Sequence, residues 1–164
     1  MLFRSGLGPA GNQFGGSMLR SPTGNTVTIT LTNLPPHSSI NLAFLFAAID
    51  SLDGAGAFPG GDYLKITLDG TTIFREAFAN AVADQVQTYI APPGVELARR
   101  TELGFTAGGF HTDSAYDMGA DPQFQLIPHT ASTLTLTFEI ESLVLQGLDD
   151  ESWGIDNLRI SLNP

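Results

Sequence analysis

One alternation narrows the choice of fold more than anything else in this chain. In NTVTITLTNL, residues 25–34, Val27, Ile29 and Leu31 occupy one parity, and Thr26, Thr28, Thr30 and Thr32 the other. A strand turns successive side chains to opposite faces, so this pattern predicts a half-buried antiparallel strand. The period returns in STLTLTFEIESLVL, where Leu134, Leu136, Phe138 and Ile140 share a face, and in the closing SWGIDNLRISL. YLKITLDGTTIFREAF places two alternating runs around Asp69-Gly70. That dipeptide suits a type I′ hairpin turn, whose two central residues both need positive φ. Pro35 and Pro36 cannot donate to a ladder and mark a turn. INLAFLFAAID, residues 40–50, is apolar on both parities and predicts a central strand covered on both sides.

The intervening stretches are weaker. Residues 1–24, rich in Gly, Ser and Pro, form an irregular segment with one short strand expected over 13–19. Residues 51–62 and 106–122 read as loops; Ala-rich spacing permits a helical turn near 77–86, but residues 79–105 are expected to be mostly strand and loop. Residues 25–164 then make one domain: an all-β antiparallel sandwich, jelly-roll-like. The 164 residues suffice for one sizeable core. Residues 1–5, MLFRS, match the translated end of a common sequencing adapter read from a GTG start. They are expected to be foreign to the natural protein, which then begins upstream of this truncated end.

Charge removes whole classes of partner. Seventeen acids against seven bases give a net charge of -10. Phosphate recognition needs basic patches, so nucleic acid and anionic membrane are poor partners. No apolar run reaches the roughly 20 residues of a membrane helix, so insertion is not expected. With no cysteine there is no disulfide, thiolate metal site or cysteine nucleophile.

The acids raise the functional question. Asp156 falls on the parity of Leu158, Ile160 and Leu162, a core-facing stripe, just after Asp149, Asp150 and Glu151. A carboxylate there must find a cation, a donor network or a metal. Calcium takes six to eight oxygens at about 2.3–2.6 Å, many from carboxylates. Asp50, Asp53 and Asp62 bracket a Gly-rich loop and, with Asp149, Glu151 and Asp156, form the expected calcium-ligand set. The two groups meet if the last strand lies beside the 40–50 strand, with Asp50 and Asp156 converging at one end. The alternative is a solvated acidic turn, with Asp156 accepting backbone N–H bonds. The spacing is not that of an EF-hand.

Other motifs are thinner. Trp153, the only tryptophan, is the candidate for stacking on a sugar or, alternatively, a core plug. His111, Asp113 and Ser114 are adjacent in sequence, which does not make a triad. There is no G-x-S-x-G elbow and no phosphate loop. Nothing singles out two carboxylates as a glycosidase pair. His37 and His129 each follow a proline in a turn and are expected at the surface.

Four segments carry a resemblance: residues 25–54, GDYLKITLDGTTIFREAF, DSAYDM, and residues 128–162 with the motif DDESWGIDN. Together the chain resembles bacterial extracellular β-sandwich domains found in PEP-CTERM-type exported proteins. Members commonly read Ser-Trp-Asp-Gly where this chain has Ser51-Leu52-Asp53-Gly54. The resemblance implies a lectin-like or galactose-binding-like sandwich, export from the cell and a non-catalytic role. The expected function is a calcium-stabilised extracellular module that binds a glycan or a matrix component in surface adhesion. The alternatives are an accessory or catalytic domain of a glycoside-acting enzyme, and a structural spacer in a surface protein.

Overall fold

The structure, a computed structural model, describes residues 14–15, 17–55, 61–106 and 109–164. The strands are β1 (Leu19–Pro22), β2 (Thr26–Leu31), β3 (Ser39–Asp50), β4 (Tyr63–Leu68), β5 (Thr71–Ala77), β6 (Glu96–Thr101), β7 (Asp113–Asp117), β8 (Ile127–Pro128), β9 (Leu134–Glu141) and β10 (Glu151–Asn163). They form two antiparallel sheets packed face to face. One has the order β1-β10-β3-β7-β6, with β8 also beside β3, and the other β2-β9-β4-β5. Setting aside β6 and the short β8, the pairs nest: β1 with β10, β2 with β9, β3 with β7, β4 with β5. A long hairpin rolled on itself gives this order, which is the jelly-roll arrangement. Residues 1–5 and the start of the expected 13–19 strand lie outside the described residues. β1 and the buried Phe14 and Met18 extend the folded unit back from residue 25 to at least Phe14.

The expected strands are present. Val27, Ile29 and Leu31 of β2 and Leu134, Leu136, Phe138 and Ile140 of β9 pack into the space between the sheets. Asp69 and Gly70 have φ of 50° and 80°, as a type I′ turn requires. Both faces of β3 are covered. Ile40, Leu42, Phe44, Phe46 and Ala48 join the main core, while Leu45, Ala47 and Ile49 lie under Phe14, Met18, Leu103 and Phe105 on the outside. An aromatic cluster runs through the main core, with Phe46 and Phe78 ring centroids 4.8 Å apart and Phe78 and Tyr116 5.1 Å apart.

Two expectations fail. DSAYD, read as loop, is β7, fully buried between β3 and β6. Residues 79–105 are strand and loop as expected, and the helical turn that the spacing near 77–86 permits does not form. The Ala79 N–H goes instead to Gln87 Oε1 and the Asn80 N–H to the Leu52 carbonyl, and these tertiary partners outweigh local propensity. Asp156 does not share a face with Leu158. The β3–β10 register breaks between Asp156 and Arg159, with Asn157 at φ 52°. Such a bulge swaps the parity of everything after it. Trp153 and Ile155 point inward before it, and Leu158, Ile160 and Leu162 after it. Asp156, paired with Leu45, therefore faces outward.

Removing the Phe46 ring leaves a void among Phe78, Tyr116 and their neighbours. Phe46→Ala should cost about 3–5 kcal/mol, read as a lower midpoint in urea denaturation. Substitution at exposed Thr28 should move the midpoint little.

Candidate metal centre

Three acids meet at one end of the sandwich. Asp53 follows β3, Asp62 precedes β4 and Glu151 opens β10, and one oxygen from each lies within 4.8 Å of the others. Glu151 pairs with Asp50 across the β3–β10 ladder, on the parity of inward-facing Trp153. The adjacency of the last strand and β3, on which the sequence argument depended, is thus present. The loop between β3 and β4 is folded back tightly. The Asp62 N–H donates to the Gly54 carbonyl at 3.0 Å, and the Asp53 N–H to Asp62 Oδ2 at 2.5 Å. Gly54, at φ 73°, is required there, because a Cβ would collide with the Val86 carbonyl oxygen and the Ala79 methyl.

The electrostatics are unbalanced. Asp62 and Glu151 are 2% and 1% exposed. Burial, then the charges of Asp62 and Asp53, pushes the Glu151 carboxyl up to about 9. Burial also raises Asp62, partly offset by the Asp53 N–H, and raises the more exposed Asp53, partly offset by the Gln85 amide. Gln85 Nε2 donates to Asp53 Oδ1 at 2.6 Å. No ion pair among the described residues reaches the three acids. Glu151 Oε2 is buried with no hydrogen-bond partner. An unanswered oxygen in such a setting calls for a proton or a cation.

The donor set is all oxygen, which suits a hard cation. Two oxygens sharing a calcium at about 2.4 Å lie at most about 4.8 Å apart, and the three acids meet that limit. Asp53, Asp62 and Glu151 are the residues that would hold the ion.

The other expected ligands are engaged elsewhere. Asp50, at φ 67°, turns its carboxylate away and accepts the N–H groups of Phe110 at 3.1 Å and His111 at 2.5 Å. Asp156 accepts from the N–H groups of Gly15 at 3.0 Å and Asn157 at 2.7 Å. Their ladder positions are five residues apart, about 17 Å, so Asp50 and Asp156 do not converge. Asp149 is exposed in the turn before β10. Trp153 is completely buried and donates its indole N–H to the Pro22 carbonyl at 3.1 Å, so it presents no face to a sugar. It is the core plug.

Two further clusters differ from expectation. His37 and His129 are buried, not surface residues, with His37 Nε2 2.6 Å from His129 Nδ1 and His129 Nε2 3.1 Å from Asp69 Oδ2. They link the turn before β3 to the β4–β5 hairpin, and nothing in two proline-flanked turns signals that contact. Asp113 accepts from the N–H groups of Leu103 and Asp50, and Ser114 Oγ from that of Arg100. These two side chains hold loops to β7. No family model, curated protein or solved structure matches the chain.

A carboxyl raised by folding stabilises the fold while it is protonated. That contribution is complete below the ordinary glutamate value and is lost as pH rises through the folded value. For Glu151 the window runs from 4.5 to about 9. Asp113, pushed by burial to about 6, acts in the same direction but only at lower pH. In chelator, the melting temperature should therefore keep falling from about pH 6.5 to 9. Glu151→Gln should flatten that fall, as followed by scanning fluorimetry.

Proposed function

We propose that this chain is a non-catalytic extracellular β-sandwich module whose loop end is tied together by calcium. Its role is to bind a glycan or a matrix component at a surface. The observation that carries the calcium is Glu151: a buried carboxyl with an unanswered oxygen, beside two further acids, none of the three in an ion pair among the described residues. An ion there would join the β3–β4 loop to the first residue of β10, linking neighbouring parts of both sheets. The extracellular setting rests on the resemblance of residues 25–54 and 128–162 to exported sandwich domains.

A glycoside-acting centre fits this trio less well. Glycosidase carboxyls flank a bond that substrate must reach, about 5 Å or more apart. Asp62 and Glu151 are closer than that and almost wholly buried. A small dehydrated ion enters such a space, and a sugar ring does not.

Calcium titration with thermal unfolding tests the proposal. An ion at 100 times its Kd stabilises by about 2.7 kcal/mol. In a domain of this size that raises the melting temperature by roughly 5–10 °C. Asp62→Asn and Glu151→Gln should each abolish most of the rise. An unchanged midpoint for the unsubstituted protein between millimolar calcium and excess chelator would overturn the proposal.

A further inference from the structure

The bulge at Asn157 divides the outer face of the larger sheet into two halves. On the β1 side of the break, Leu45, Ala47 and Ile49 are roofed by Phe14, Met18, Leu103 and Phe105. Beyond it, β10 turns Arg159 and Ser161 outward, in register with Ala43 and Asn41 of β3. That half carries a groove of about 560 Å³, to which Asp117 and Gln125 also contribute. Without the extra residue, Leu158, Ile160 and Leu162 would face this groove and the arginine would face the core. Bulges commonly re-aim side chains next to functional sites.

We propose that this groove is the ligand site of the module and that it takes a neutral oligosaccharide. The assignment rests on the chain being a non-catalytic binding module, but not on the calcium. The volume lies within the roughly 300–1,000 Å³ of small-ligand sites. The lining mixes donors and acceptors, as hydroxyl groups that do both require. Its amides are anchored at one end and available at the other. Asn41 Oδ1 accepts from the Leu126 N–H at 2.8 Å and from Asn163 Nδ2 at 3.1 Å, leaving the Asn41 amide protons to donate. Gln125 Nε2 donates to the Gly119 carbonyl at 3.2 Å, leaving its oxygen to accept. Anchored polar groups lose little freedom when a ligand arrives.

The rest of the lining fits the same ligand class. Among the described residues the Arg159 side chain makes no hydrogen bond or ion pair, and it is the groove's cation. Asp117, 9% exposed, is its anion, oriented by the Gly119 N–H at 3.1 Å. One charge of each sign leaves the groove without the bias that would select a polyanion, which the net charge of -10 would repel in any case. Ala43 forms part of a small apolar floor, and the turn at Gly119 rests directly on it. A Cβ at Gly119 would lie 2.8 Å from the Ala43 methyl.

The groove is separate from the acid trio. Arg159 lies eight residues along β10 from Glu151, more than about 20 Å away. The test is titration of ¹⁵N-labelled protein with cellotriose, laminaritriose, maltotriose, triacetylchitotriose and galactotriose. At least one should shift the signals of Asn41, Gln125 and Arg159 with a millimolar or lower Kd. Arg159→Ala and Gln125→Ala, both at exposed positions, should weaken that binding at least tenfold at an unchanged melting temperature. Chelator should leave it within a factor of two. Absence of these shifts with all five sugars at 10 mM would overturn the assignment, as would shifts centred elsewhere or a response only to free glutamate or arginine. The calcium proposal is read separately, in the melting temperature, so failure of one is distinguishable from failure of the other.

Discussion

The pairing of β10 with β3 sets the terms for the rest of the molecule. β3 is buried on both faces from Phe44 to Asp50, so whatever lies beside that stretch must choose at each residue which core to serve. β10 serves the inner core with Trp153 and Ile155, then breaks register at Asn157 and serves it again with Leu158, Ile160 and Leu162. A left-handed residue in the middle of a strand costs on the order of 1 kcal/mol or more. The break also places Asp156 outward, where it accepts the Gly15 N–H and helps fasten the segment that roofs Leu45. Gly154 allows that roof to come close, since a Cβ there would lie 2.8 Å from Met18 Sδ. One irregularity therefore closes half of the outer face and opens the other half.

The two ends of β10 then carry opposite kinds of polarity. At Glu151 three acids crowd together with one buried oxygen unpartnered, and burial turns that crowding into a demand for a cation or a proton. At Arg159 charges of both signs stand in an open groove, with amides held at one end. The first arrangement suits a small ion that stiffens loops, the second a larger ligand that makes many individually weak bonds. They share a strand but no side chain, so stability and recognition can be tuned separately.

Periodicity was a good guide wherever the ladder was regular. Thr26–Leu31, Tyr63–Leu68 and Leu134–Glu141 follow it residue by residue, β5 departs from it where the hairpin register shifts beside Ile66, and the double-sided burial of β3 was legible in its apolar run. It failed at β7, because Asp113 and Ser114 are buried polar residues whose partners lie on other segments, and Asp117 is buried while it caps the turn that follows. It failed at Asp156 because a bulge formed by Asn, not Gly, leaves no mark in the sequence. The candidate acids were named as a group, and three of the six meet. Gln85, which steadies Asp53, and the His37–His129 contact have no local signature, since each depends on how distant loops come together.

What separates Glu151 from the other acids at the candidate site is whether its oxygens are answered. Asp50, Asp62, Asp69, Asp113, Asp117, Asp121 and Asp156 each accept at least one backbone N–H. Such bonds let a short side chain fasten a turn or loop. A chain this rich in loops has many N–H groups that no ladder satisfies, and an acidic composition supplies acceptors for them. Net charge is thus a poor index of cation binding here, because much of it serves the backbone. Glu151 stands apart because one of its oxygens is buried without such a partner, and its longer side chain brings it to Asp53 and Asp62 instead.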